Sequence, residues 1–411
     1  MKPWFRTTAL GAIAVFAVLA GWRIVGQMQA ERHASTAPER ALQWRPNDPQ
    51  ALLAIAERQL KAGELAEAEV TAKQLLSHEP LQGRAIALLA EVAAKQGRKG
   101  DALRIFQIAE RRAPRDATTG LWLAQFYTEQ GDYDAAMLRL DRLLRFSPRR
   151  AIAVYPALMQ LAQDEAFASA LARTLQSKPP WRAGFLARMQ HPKTGNAVAS
   201  GRVMQALYES DNLEPKEYAR WLDSLMTQGR WGEAYARWSG DAAKVNGRLP
   251  FVYNGDFSLP VSDAGFDWRL LRVPGVILKF ETATGANGPA AYFRFLDRRA
   301  ASGGLEQPLF LPPGQYRLNF RARAQALRAE IGVRWVVACD GGAGVIGRSD
   351  PIEGNVPWRE FNATFTVPEA RCSGQRLQLL NAVATGAAQR IAGDLWIDDV
   401  GIERVGSPAS N

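Results

Sequence analysis

Apolar positions along the chain change rhythm twice. From Thr7 to Trp22 they run without a charge, with Leu10, Ile13, Val15, Phe16, Val18 and Leu19 inside the run. Arg23 interrupts it, and Ile24, Val25 and Gly26 continue it. From about residue 38 to 245 they recur at the three- and four-residue steps of amphipathic helices. From about residue 250 they alternate in short runs broken by Gly and Pro, as strands do. The pattern predicts an apolar leader, a helical half and an all-β half.

The helical half is periodic. Gly63, Gly97 and Gly131 are spaced by 34 residues, as are Ala68, Ala102 and Ala136, and Pro46, Pro80, Pro114 and Pro148. Each glycine separates two apolar-periodic stretches, as a turn between antiparallel helices requires. Alanine lets paired helices approach closely, and proline ends a helix because it lacks the N–H and clashes with the preceding turn. With Phe106, Ala109 and Tyr127 added, the spacing resembles the tetratricopeptide repeat (TPR) family over about residues 46–148. That resemblance implies stacked helical hairpins forming an α-solenoid that grasps protein partners. Beyond 150 the period slips, with breaks at Pro179-Pro180 and in the loop 191–195. A further hairpin follows around Gln228-Gly229-Arg230 and Trp231. Residues 151–245 read as degenerate repeats capping the solenoid, because a terminal repeat has one neighbour only.

In the β half, candidate strands are 290–295, 315–322, 331–338, 360–367, 376–382 and 395–403. Turn signals lie at Pro312-Pro313-Gly314, Asp340-Gly341-Gly342 and Glu353-Gly354-Asn355. Many short strands punctuated in this way predict a sandwich or barrel. Within 251–403 the ordered landmarks are Asn254-Gly255-Asp256-Phe257, Phe266-Asp267-Trp268, Leu311-Pro312-Pro313-Gly314-Gln315-Tyr316, Trp358-Arg359-Glu360-Phe361 and Trp396-Ile397-Asp398-Asp399-Val400. Together they resemble the jelly-roll carbohydrate-binding modules of galactose-binding-like fold. The resemblance implies a β-sandwich that often binds sugars and in other members binds proteins. It also implies a structural calcium held by the opening segment, here Asp256, and the closing Asp398. Many members carry an acidic residue where this chain has Ser258, which puts the metal in doubt.

Sugar binding needs aromatic faces and a few polar groups. The candidates are Trp268, Trp358 and Tyr292, with Trp335 and Trp396 beside them; core packing competes for each. Trp335 alternates with Ile331, Val333 and Val337 on one apolar face and reads as core. By the same alternation Trp396, Asp398, Val400 and Ile402 share a face, so Asp398 needs hydrogen-bond donors or a cation.

Composition narrows the chemistry. Lys and Arg number 51 against 41 Asp and Glu, a net +10 that favours acidic partners. Three histidines and two cysteines leave few options for zinc or nucleophilic catalysis. Arg139, Arg142, Arg145 and Arg149 form a basic stripe on one helix, either a solvated, paired face or a docking strip for an acidic segment or glycan. Cys339 and Cys372 are a disulfide candidate if the chain is exported. No phosphate-binding loop, dinucleotide fingerprint, His-Glu-x-x-His or Gly-x-Ser-x-Gly occurs. A glycosidase needs only two carboxylates, and Asp256 or Glu281 could partner Asp398.

Lys2 and Arg6 precede the apolar run, and Trp4 and Trp22 flank it. Residues 1–30 are expected to be a single-pass inner-membrane anchor with the bulk of the chain periplasmic. A cleaved signal peptide is the competing reading, with Met28-Gln29-Ala30 as a poor cleavage site. The expected organisation is an anchor (1–30), TPR repeats (38–150), degenerate repeats (151–245), a sandwich (250–405) and a tail (406–411). The expected function is a membrane-anchored, non-catalytic scaffold of the bacterial cell envelope. Its partners would be an envelope protein complex and a polysaccharide, in polysaccharide synthesis or export, with no nucleic acid. A purely protein–protein adaptor and a carbohydrate-active enzyme are the alternatives.

Overall fold

A computed structural model describes residues 3–146, 148–247, 249–383 and 389–406, with side chains at 3–15, 148–151 and 244–246 outside the description. The described residues form fourteen helices followed by ten strands. They divide into two compact units: Met1–Met189 with Asn196–Asn212, and Gln190–Gly195 with Leu213–Asn411.

The first unit is built from helical hairpins. Helices α3 (Pro49–Ala62) and α4 (Leu65–His78), α5 (Gly83–Lys95) and α6 (Lys99–Arg112), and α7 (Ala117–Glu129) and α8 (Tyr133–Phe146) pair in succession. Gly63, Gly97 and Gly131 take φ of +84°, +79° and +75° in the three turns. Only glycine adopts that backbone without strain, which accounts for its recurrence. Ala68, Ala102 and Ala136 are fully buried where the helices meet. Helices α9 (Pro148–Leu161), α10 (Glu165–Gln176), α11 (Arg182–Met189) and α12 (Ala197–Glu209) complete the unit. Helix α1 (Pro3–His33) leads into α2 (Pro38–Trp44), and Ala30, Ala34, Ala41 and Ala51 pack together there. Among the described residues no helix is long and apolar enough to cross a membrane. The leading half of the predicted anchor lies outside the described side chains. From Phe16 onward, Phe16, Val18, Leu19, Trp22 and Ile24 are exposed.

The second unit is an antiparallel sandwich with a helical hairpin. Sheet A orders β1 (Arg269–Leu270), β4 (Ser302–Leu309), β9 (Gly374–Asn381), β6 (Val333–Asp340) and β7 (Gly344–Arg348). Sheet B orders β2 (Val276–Thr282), β3 (Pro289–Arg299), β10 (Arg390–Arg404), β5 (Gly314–Arg328) and β8 (Gly354–Val367). Phe293, Phe320, Trp335, Leu377, Leu379, Leu395 and Ile397 interdigitate in one core between them. Strands β3, β5, β6, β8, β9 and β10 fall on the predicted segments. Strands β1, β2, β4 and β7 were missed: β1 has two residues, and Gly303, Gly304 and Pro308 mask β4.

Helices α13 (Pro215–Thr227) and α14 (Trp231–Asn246) belong to this unit. Their turn repeats the TPR device, with Gly229 at φ +75°. The hairpin docks on the outward face of sheet A through Trp231. That indole is fully buried and donates to Asp340 at 2.8 Å. Gly374 lies beneath it, where a Cβ would come within 2.0 Å of the ring. Arg376 lies 5.4 Å from the centre of the ring, and Phe266 packs edge-on.

Candidate functional site

The outward face of sheet B carries a row of polar and aromatic side chains that the core does not use. Alternation along each strand sends every second residue outward. In register, Lys279 of β2 lies across from Tyr292 of β3, Tyr292 from Trp396 of β10, and Trp396 from Arg323 of β5. These four make one row across the sheet. The Tyr292 and Trp396 rings stack at 5.0 Å, and the Arg323 guanidinium lies 4.8 Å from the Trp396 ring centre. The next row holds Arg294, Asp394 and Gln325. Asp394 accepts from the Tyr292 hydroxyl at 2.6 Å and from Arg294 at 2.9 Å. Burial pushes the Tyr292 hydroxyl up to about 12, with the bond to Asp394 adding to the rise. Partial burial alone would raise Asp394, but bonds from Tyr292 and Arg294 outweigh it and hold the carboxyl below its ordinary range.

One loop, 283–288, straps the end of this face. The Asn287 N–H donates to Asp398 at 3.2 Å and its side-chain amide to Asp399 at 2.7 Å. Trp358 donates to the Thr284 carbonyl at 2.9 Å, and Arg321 to that of Gly285 at 3.1 Å. Asp398 is fully buried under this strap and also accepts from the Asp399 N–H at 2.8 Å. Burial raises its pKa.

The structure redistributes the residues singled out from the sequence. Trp268 is fully buried, stacks near Phe257 and Trp335, and donates to the Asn254 carbonyl at 2.8 Å. It offers no face to a sugar, because both Phe257 and Trp335 pack against it inside the sandwich core. Tyr292 lies on the outward face, and Trp358 is half-buried against the strap. Trp335 is core, while Ile331 lies outside β6 and is exposed. Asp398 does not share a face with Val400 and Ile402. A β-bulge with Asp399 at φ +49° reverses the alternation, so Val400 and Ile402 join Leu395 and Ile397 in the core. The opening and closing segments meet through backbone, as the Val400 N–H donates to the Gly255 carbonyl at 2.8 Å. Asp256 is exposed and accepts from the Ser258 N–H and hydroxyl at 3.2 and 3.0 Å. Among the described residues no three His, Cys, Asp or Glu side chains converge as a metal site needs. Asp398 is met by the backbone N–H groups of Asn287 and Asp399. Cys339 and Cys372 are disulfide-bonded, with Cα atoms 4.9 Å apart.

The basic stripe is largely neutralised. Arg139 reaches Glu110 of α6 with two bonds of 3.1 Å, Arg142 adds a third at 3.1 Å, and Arg145 pairs with Asp141 at 2.7 Å. The Arg149 side chain lies outside the described residues. Repeat stacking places Glu110 opposite the stripe, a juxtaposition that local spacing does not reveal. Elsewhere in this unit a groove of about 460 Å³ is lined by Leu144, Tyr155, Trp181 and Gly184, with Arg145 and Arg188 at its rim.

Residues 93–161 match the tetratricopeptide repeat family model, so this stretch is a TPR region. The chain is similar to a thermophilic TPR protein of Thermus thermophilus, at 24% identity over 50% of this chain and 98% of that one, TM-score 0.24. Its sandwich is similar to a CBM22 xylan-binding domain from Paenibacillus barcinonensis, at 12% identity over 38% of this chain and 94% of that one, TM-score 0.26. It is also similar to a CBM61 module solved with β-1,4-galactotriose, at 20% identity over 38% and 99%, TM-score 0.27. No curated protein shows significant similarity to the chain.

Proposed function

We propose that this protein is a membrane-tethered, non-catalytic scaffold of the bacterial cell envelope. Its TPR region holds a protein partner, and its sandwich holds a glycan on the outward face of sheet B. The observation that carries the glycan half is the row Lys279, Tyr292, Trp396 and Arg323, with Asp394 and Arg294 beside it. A strand face that only closed a core would not need a half-buried Trp flanked by an oriented guanidinium. The protein half rests on the TPR match and on the apolar groove around Tyr155 and Trp181. Tethering rests on the uncharged run from Thr7 to Trp22 and on the exposed apolar residues from Phe16 to Ile24. An inner-membrane anchor would leave the bulk in the periplasm, where the Cys339–Cys372 disulfide persists. A tether concentrates both binding halves at the membrane. Polysaccharide synthesis or export is the process that unites these parts.

The enzyme reading gains no support, because Asp398 is sealed under the strap and both its oxygens are engaged by backbone N–H groups. The test is crosslinking in native membranes, combined with polysaccharide affinity electrophoresis of the purified full chain. Co-capture of envelope proteins and retarded migration in at least one polysaccharide gel are expected. Release from membranes by a salt wash would defeat the tether. Captured partners with no retardation in any gel would reduce the protein to an adaptor.

A further inference from the structure

We infer that the outward face of sheet B selects sugar carboxylates, the uronic-acid units of an acidic polysaccharide, through Arg323 and Lys279. This rests on the glycan reading above and sharpens it. A neutral sugar is held mainly by stacking its C–H face on a bare aromatic ring. Trp396 has no bare face. Strand order places β3 and β5 on opposite flanks of β10, so Tyr292 covers the indole from one side at 5.0 Å and the Arg323 guanidinium from the other at 4.8 Å. Tyr292 is itself only 7% exposed. What the row presents to solvent is its polar edge.

The cations along that edge divide into two kinds. Arg294 is committed to Asp394 at 2.9 Å, and Arg321 to Asp399 at 3.4 Å and the Gly285 carbonyl at 3.1 Å. Arg323 and Lys279 have no carboxylate partner among the described residues, unlike Arg294 and Arg321. Arg323 is half-buried and already oriented by the indole, so little side-chain freedom remains to be lost on binding. Its planar fork matches a carboxylate with two parallel hydrogen bonds. Lys279 is exposed at the other end of the row, three strand spacings away, or about 14 Å. A chain lying across the strands would meet a cation at each end. Asp394, which lies between them, is paired with Arg294 and also accepts from the Tyr292 hydroxyl, which offsets its repulsion of an anionic ligand.

The test is affinity electrophoresis and calorimetry of the purified full chain against polygalacturonate, alginate, neutral galactan, neutral xylan and dextran sulfate, at low and high salt. The uronates are expected to bind and the neutral polymers to bind at least about tenfold more weakly. Arg323→Ala should weaken uronate binding at least about tenfold, Arg323→Lys less and Lys279→Ala less again. Arg299→Ala, at the far end of β3, should leave binding unchanged. Thermal melts of each variant separate lost binding from lost folding. Galactan or xylan binding that equals uronate binding and survives Arg323→Ala overturns the carboxylate inference and leaves the glycan reading standing. Binding of no polymer overturns both. Equal binding of dextran sulfate, with Arg299→Ala as damaging as Arg323→Ala, marks unspecific polyanion attraction and also overturns the inference.

Discussion

On the outward face of sheet A, Trp231 is fully buried and its N–H is matched by Asp340 at 2.8 Å. On the outward face of sheet B, Trp396 is half-buried, and the guanidinium beside it lacks a carboxylate partner among the described residues. Both faces come from the same alternation of strand residues. The A face received an apolar element, the α13–α14 hairpin, and serves folding. The B face kept polar groups pre-arranged around a stacked pair of rings, and is the face on which the proposed ligand would lie. Groups that finish one another's hydrogen bonds stabilise the fold. Groups held in place but left unmatched are those that recognition needs.

The comparison breaks most sharply at Trp231. Trp231→Ala should destabilise the sandwich unit by about 3–5 kcal/mol, because it empties a core-like site and orphans Asp340. Urea unfolding followed by near-UV circular dichroism reads this out, and a loss below about 1 kcal/mol would show that the A face is not structural. Asp398→Ala comes next. It strands the Asn287 and Asp399 N–H groups, and a cost of roughly 2 kcal/mol is expected, with faster hydrogen exchange at Asn287. Unchanged exchange there would remove the strap from the account.

A smaller effect concerns pH. The raised Tyr292 pKa favours the folded state fully below pH about 10, and that contribution fades as pH rises toward 12. Tyrosinate absorbance should show a residue still protonated when ordinary tyrosines have ionised. Asp394→Asn should bring that ionisation down, though burial will keep it above the ordinary value. Asp394, held low, stabilises above the ordinary carboxylate pKa and loses that effect as pH falls through its folded value. The smallest expected change in stability is that of Arg323→Ala, under about 1 kcal/mol, since a lone cation–π contact is lost. A cost as large as that of Trp231→Ala would erase the distinction between the two faces.

Legibility in the sequence followed the range of the contacts. The glycine turns at 63, 97 and 131 could be read directly, because a positive φ is a demand that one residue meets alone. The strand character of β5, β8 and β10 is legible for the same reason, since alternation acts within a few residues, although the Asp399 bulge breaks it in β10. Strand β1, with two residues, carries no period at all. Site residues are harder to read. Tyr292 and Trp396 both stand out in the sequence, but only the register of four strands brings them into one row with Arg323 and Lys279.

The chain alone determined a periodic array of helical hairpins and an alternating β region, since helix and strand periods and glycine's freedom act over a few residues. Tertiary structure decided which aromatic faces inward, which cation keeps a free edge and which carboxylate is sealed. Trp268 turned into the core, Glu110 came to lie against the arginine stripe, and one extra residue at Asp399 reversed the side on which its neighbours lie. Outcomes of this kind depend on partners as distant as Trp231 and Asp340, 109 positions apart, and only packing brings such partners together.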